Sequence, residues 1–483
     1  MSSTVQLKSR LLARLAETGR PPIPPGMDTC AVVRWYQRNK YPLLSLAQEI
    51  APWLTEDDDF LRCLAAEMEW FHTQREEYAA VVDAWRREGI ECLMIKSAGN
   101  FPSFPYTSDN IDVLVRPPHG AAARDALRRL GYVELRNIEE PKKYLFRRFV
   151  DGRCVSAIHV HEQVIWLVGF MDEDALWRRR RPAADDPLVT VPSPEDAILI
   201  NLAHACYENK RLRLNDLMRV RHALLGARAA GGVDWAYMER VASSRGWSDG
   251  LAFMVLAYDA IEAPLFGSSA VPRVQVERFE RLLRPQRLAW RALQTLRGRR
   301  DVDLPLYLPF LFCKWLYYRK ILTDPTQPLA QRAIDVVSTL LQGIKLKSRL
   351  RFQPGAVVAL SGPDGTGKTA HARSLVAALQ LCEVDAAYVW SRAGSTGLFA
   401  AVTRLVHALT RVGGRSVATA SGHPSPDTVS RRRRRLTYPP VRFLWAWLVA
   451  LDQLVTLGVR VWLPTLFGRV VIADRYVYDT AVE

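Results

Sequence analysis

Two stretches of the chain hold side chains whose types and spacing suit chemistry. The first is Gly362-Pro-Asp-Gly-Thr-Gly-Lys-Thr369, with the spacing G-x-x-x-x-G-K-[ST]. It follows the apolar run Ala356–Leu360 and precedes a segment of helical pattern, Ala370–Leu379. In a strand, turn and helix of this kind, Gly362, Gly365, Thr366 and Gly367 turn backbone N–H groups towards a phosphate, and the positive end of the new helix adds to the attraction. Lys368 then reaches the β- and γ-phosphates, and the Thr369 hydroxyl ligates Mg²⁺. Farther on, Val470-Val-Ile-Ala-Asp474-Arg475-Tyr476 ends an apolar strand in a carboxylate suited to orienting Mg²⁺, with a guanidinium fork for phosphate beside it. Asp364, inside the loop, is a second carboxylate placed to bond an acceptor hydroxyl or assist transfer. These residues predict a site for ATP and Mg²⁺.

The second stretch is discontinuous: Lys96, then Ser108-Asp-Asn-Ile-Asp112, then Ile158-His-Val-His161. Asp112 offers the anionic oxygen that hard cations require. His159 and His161 share one face of a strand and have the donor type of transition-metal ligands. Two imidazoles alone do not make a site, so hydrogen-bonded strand residues are the plainer expectation for the pair.

The elements that must position these groups follow from periodicity. Asp58–Glu88 reads as one long helix, stopped by Gly89. Cys92–Lys96, Ile111–Val115, Tyr144–Val150 and Val155–His161 read as strands, with a helix at Ala121–Leu130. Ser193-Pro-Glu-Asp196 opens another helix, and helical texture continues to about Thr339. Ala387–Trp390 reads as a second strand after the glycine-rich loop. The expected fold is α/β overall. A helical region spans 1–88, an α+β domain 89–230, a helical connector 231–350 and a parallel-sheet α/β domain 351–483.

The 483 residues carry a formal charge of +16, which favours anionic partners. The arginine runs Arg178–Arg181, Arg297–Arg300 and Arg431–Arg435 lack aromatic interleaving, so a solvated face is expected rather than a nucleic-acid site. The last run falls in Gly413–Pro440, which reads as a mobile insertion. Seven scattered cysteines without a C-x-x-C pair fit reduced thiols and a cytoplasmic location. Leu304–Leu322 and Val441–Phe467 are apolar but interrupted by charges and proline, so buried or interfacial helices are expected instead of spans of about 20 apolar residues.

The loop Gly362–Thr369 together with Asp474-Arg475-Tyr476 resembles thymidylate kinase and its relatives, over about Gly355–Glu483. That resemblance implies transfer of the γ-phosphoryl of Mg·ATP to a nucleoside monophosphate or similar small phosphate acceptor. It implies catalytic roles for Lys368, Asp364, Asp474 and Arg475, Mg²⁺ held by Thr369 and Asp474, and acceptor contacts from Arg392, Arg475 and Tyr476. The usual acidic and proline neighbours of Arg392 are absent, and an arginine-bearing lid is not seen before Glu483, so an incomplete kinase domain is expected.

Residues from about Ala65 to Leu225 resemble a bacterial polymerase-beta-like nucleotidyltransferase. The resemblance implies a two-Mg²⁺ site on a D-x-D strand, with a third acid on a neighbouring strand. Here the first position is Asn110, the second Asp112, and His159 falls where the third acid would be; Lys96-Ser97 replaces Lys-Gly. The site is therefore expected to be degenerate, with Asp109 or Glu162 as possible helpers of Asp112. The leading expectation is the kinase. Nucleotidyl transfer by the first half, or a non-catalytic ATP-binding regulatory or scaffold protein, are the alternatives. The sequence leaves the oligomeric state open.

Overall fold

The computed structural model describes residues 28–46, 54, 56–96, 103–104, 106–135, 142–166, 168–229, 231–297, 303–348, 355–363, 365–390 and 439–474. It separates into two compact units, Met1–Gly343 and Ile344–Glu483.

The first unit is mostly helical around one mixed sheet. Helix α1 (Thr29–Arg38) is capped by Asp28, whose carboxylate accepts the Ala31 N–H. Helix α2 (Asp58–Arg87) is capped by Asp57 and buries Phe60, Phe71, Tyr78, Val81 and Trp85. That stripe packs on a five-stranded sheet of β1 (Cys92–Met94), β2 (Ile111–Val115), β3 (Val133–Glu134), β4 (Lys143–Val150) and β5 (Arg153–His161). The spatial order is β1-β2-β5-β4-β3. Only β2 and β5 run parallel, with Asp112 opposite His159 and Leu114 opposite His161. All five residues of β2 are buried, as suits a β-branched strand with neighbours on both sides. Between β2 and β3, helix α3 (Gly120–Arg129) closes against α2, where the Trp85 indole donates to the Ala123 carbonyl at 3.1 Å.

Helix α4 (Pro194–Ala203) begins at Ser193, whose hydroxyl accepts the Asp196 N–H, and runs into a π-helical turn, His204–Asn209. Helices α5 (Leu214–Ala229), α6 (Ser248–Phe266) and α7 (Phe310–Thr323) follow. Their buried residues join the same apolar cluster as α2 and the sheet. The helical texture read from sequence is interrupted by a small antiparallel pair, Arg211–Leu212 with Leu306–Tyr307. Of the apolar stretch 304–322, the first part supplies that strand and the rest is α7.

One half-buried acid on α2 gives this unit a pH signature. Glu67 Oε1 accepts the Leu43 N–H at 2.8 Å, and burial pushes its carboxyl up to about 8. The unfolded carboxyl titrates near its ordinary value of 4.5. Between those values the folded chain holds more protons than the unfolded one, so stability falls as pH rises through the window. Glu67→Gln keeps an acceptor for Leu43 and removes the ionisation. We expect it to flatten the decline and to exceed wild type by on the order of 2 kcal/mol near pH 8, read from urea midpoints across the window.

The second unit has a three-stranded parallel sheet of β6 (Val357–Leu360), β7 (Ala386–Trp390) and β8 (Val470–Asp474), in the order β6-β8-β7. Helix α8 (Lys368–Leu381) follows β6 and packs through Ala372 against Ala386, Val470 and Ile472. Helix α9 (Pro439–Leu457) precedes β8 and continues as a π-helical turn, Gly458–Trp462. There Leu457 and Val461 pack with Val389 and Val471. Val441–Phe467 is thus almost wholly helical. Among the described residues one helix, Ala446–Leu466, is long and apolar enough by length and composition to cross a membrane.

Candidate functional site

In the first unit, chemistry gathers on one sheet face. Side chains two apart on a strand share a face, which puts Asn110 and Asp112 of the β2 edge beside His159 and His161 of β5. A carboxylate in the middle of an apolar strand must be compensated, and Asp112 Oδ1 is, from three sides. The Lys96 ammonium lies 3.0 Å away, His161 Nε2 2.9 Å and His159 Nδ1 3.2 Å. Burial alone would raise the Asp112 carboxyl, but Lys96 and the two imidazoles outweigh it and hold it well below the usual carboxylate range. Burial, with the charge of Lys96 nearby, lowers both histidines below the ordinary imidazole value, His161 strongly. Both rings are therefore neutral at pH 7; His161 turns an N–H to the carboxylate, and His159 Nδ1 lies between Asp112 Oδ1 and the Asn110 amide nitrogen, 3.3 Å away. The other nitrogen, His159 Nε2, is buried and has no hydrogen-bond partner among the described residues.

Further charges arrive from outside the sheet. Glu208, on the π-helical turn after α4, lies 3.7 Å from Lys96 and 3.0 Å from His204 Nε2. Burial opposes its ionisation, yet Lys96 and His204 hold its carboxyl well below the usual range. Arg219 of α5 donates to the Lys96 carbonyl at 3.2 Å, fixing the strand end where Lys96 takes a left-handed backbone (φ 58°). Lys143, opposite His161 in the antiparallel β4–β5 register, is buried with its ammonium 5.6 Å from the Trp166 ring.

Neither expected helper of Asp112 joins it. Asp109 is largely exposed and paired with Lys40. Glu162 has the opposite strand parity to His161; it lies over Gly120 and faces Arg124 at 3.9 Å. Ser97 lies outside the described residues. His204 belongs to the cluster, at the end of the stretch Pro194–His204 that resembles the helical part of a bacterial nucleotidyltransferase family, and so do Lys143, Glu208 and Arg219, to which no motif in the sequence points. Their signal is register and tertiary packing, which no spacing in the chain displays.

The residues present do not fit a pair of Mg²⁺ ions, because an amide and an imidazole stand where two carboxylates would be needed and Lys96 already neutralises the third. They do fit one divalent cation of borderline type. One oxygen of Asp112 and one nitrogen each of His159 and His161 all lie within 4.8 Å of one another, and His159 Nε2 is a buried atom with no partner among the described residues.

In the second unit, the loop between β6 and α8 places its groups at the carboxyl ends of the parallel strands, where Leu360, Trp390 and Asp474 are in register. Gly365 and Gly367 take left-handed backbones (φ 87° and 78°) that a side chain would strain. Lys368 Nζ donates to the carbonyls of Gly362 and Pro363, and Thr366 Oγ1 also donates to Pro363. Thr369 Oγ1 donates to Asp474 Oδ2, as does the Tyr388 hydroxyl at 2.9 Å. Burial and Asp474 together raise the Tyr388 phenol. Asp364, Arg392, Arg475 and Tyr476, and the run Arg431–Arg435, lie outside the described residues.

Residues 68–261 match the family described as an uncharacterised nucleotidyltransferase. No curated protein and no solved structure matches the chain. The matched span contains the whole Asp112 cluster and its sheet, so the first unit carries a nucleotidyltransferase-family domain.

Proposed function

We propose that the first unit is a nucleotidyltransferase that uses a single borderline divalent cation. The observation that carries this is the convergence of Asp112, His159 and His161 within 4.8 Å on one buried sheet face inside the matched span. An acceptor hydroxyl attacks the α-phosphorus of a nucleoside triphosphate. The new O–P bond forms as the α–β anhydride bond breaks, pyrophosphate leaves with that electron pair, and the acceptor proton passes to solvent. A cation held by Asp112, His159 and His161 supplies charge neutralisation at the triphosphate. Lys96, fixed between Asp112 and Glu208, adds a positive charge beside it without needing a second metal.

The test is titration of Mn²⁺ into the full chain, followed by loss of the free-ion electron paramagnetic resonance signal, then an assay for pyrophosphate release from each triphosphate. The expected result is saturable Mn²⁺ binding, with release faster on Mn²⁺ than on Mg²⁺. A folded chain that takes up no Mn²⁺ overturns the reading.

A second reading concerns the other unit, and the hydrogen bond from Thr369 to Asp474 favours it. A hydroxyl after the loop lysine, set against a carboxylate ending a parallel strand, is suited to holding Mg²⁺ and its waters. On this reading the unit binds Mg·ATP and passes the γ-phosphoryl to a small phosphate acceptor, as in the thymidylate-kinase-like enzymes it resembles. Calorimetric titration of Mg·ATP is expected to show binding that Lys368→Ala weakens at least about tenfold. Unaltered affinity in the variant would remove the loop from the site.

A further inference from the structure

Helix α9 and the turn that continues it are inside out. Three polar residues of α9 face the unit's own interior: Asp452 and Thr456 are each 2 % exposed, and Gln453 is buried with them. Leu457 and Val461 on the same side reach the sheet. The outward side is apolar. Trp447 and Leu454 are each 62 % exposed, and Phe443, Leu451, Val459, Trp462 and Leu466 continue the face. A water-facing helix normally shows the reverse arrangement, and a continuous apolar face of this length marks a binding surface.

We propose that this face seats the second unit on an anionic lipid bilayer, with α9 lying in the plane of the headgroups. Two observations choose a membrane over a protein partner. First, Ile344–Glu483 carries nineteen Lys and Arg against eight Asp and Glu, an excess of eleven positive charges. Two of those eight acids, Asp452 and Asp474, are buried. Arg460 is exposed on the turn that continues α9, and Arg469, also exposed, pairs with Asp385 at 2.9 Å. A strongly basic unit that carries an apolar helix face is complementary to acidic headgroups. Second, Trp447 and Trp462 are separated by about 22 Å of helix, and indole rings favour the membrane–water boundary. The helix lies on the bilayer and does not cross it, because its polar side is committed to the unit's own interior.

The test is flotation of the full chain with vesicles of phosphatidylcholine alone, or with about a third phosphatidylglycerol. We expect recovery with the anionic vesicles, little with the neutral ones, and loss of most binding in about 0.5 M salt. The exposed double substitution Trp447→Ser with Leu454→Ser should reduce recovery at least about tenfold while leaving the circular dichroism spectrum and Mn²⁺ uptake by the first unit unchanged. Two outcomes overturn the proposal. In one, the chain stays with the unbound fraction at every composition, which means that its own segments cover the face. In the other, it self-associates without lipid and the same substitutions abolish that association, which makes a second copy the occupant.

Discussion

Asp112→Asn is expected to lower Mn²⁺ affinity at least about 100-fold and to bring pyrophosphate release to background. The substitution keeps shape and removes charge, so it separates the role of the carboxylate from packing. In the native cluster, Lys96, His161 and His159 all turn to the single oxygen Oδ1. An amide oxygen holds far less negative charge, and an amide nitrogen in its place would meet three donors. Either way the cation loses its one anionic ligand, and two neutral imidazoles remain. Lys96 would keep Glu208, 3.7 Å away, as an acidic neighbour, so some loss of stability is expected as well. The comparison that makes the result specific is Glu162→Gln. Glu162 is also an acid at the end of β5, but it faces Arg124 across Gly120. It should leave Mn²⁺ uptake and turnover unchanged. Equal losses in both variants would mean that the site is not centred on Asp112.

Much of that cluster is legible in the chain because strands obey a period of two. Ile111–Val115 is a β-branched run, so its place inside a sheet is readable, and so is the shared face of His159 and His161. The same parity rule, applied strictly, excludes Glu162 as a helper of Asp112. What spacing does not show is which strand lies beside which. Lys143 reaches the site because β4 runs antiparallel to β5 and sets it opposite His161. Glu208 reaches it on a π-helical turn, a local widening of the helix that periodicity does not mark. The inversion of α9 is hidden for another reason. Its composition reads as an apolar helix with a few interruptions, and only the packed structure shows that Asp452 and Thr456 are the buried side. In the second unit the meeting of Thr369 with Asp474, 105 residues apart, follows from topology: β8 ends in Asp474 beside the end of β6, and the loop from β6 opens α8 with Thr369 at that same edge.

Asp324→Asn should destabilise the first unit by about 3 kcal/mol, because it strands a buried cation. Lys320, at the end of α7, is 1 % exposed, and its ammonium donates to Asp324 Oδ2 at 2.7 Å with the Phe170 ring 5.0 Å away. Burial pulls the Lys320 ammonium below its ordinary value, and the charge survives because Asp324 faces it. Neutralising the acid leaves that ammonium to shed its proton or to draw water from the adjoining cavity of about 480 Å³, whose wall the pair helps to form. The reverse variant, Lys320→Met, should cost less. Asp324 Oδ1 keeps the N–H and hydroxyl of Thr326, at 3.0 and 2.6 Å, so its charge remains hydrogen-bonded. The double variant removes both charges and restores an apolar stem over Phe170, so it should lie closer to wild type than Asp324→Asn does. Urea unfolding of the four proteins measures this directly. Independent, additive losses would show the two groups to be separately solvated, and the pair would then contribute nothing as a pair.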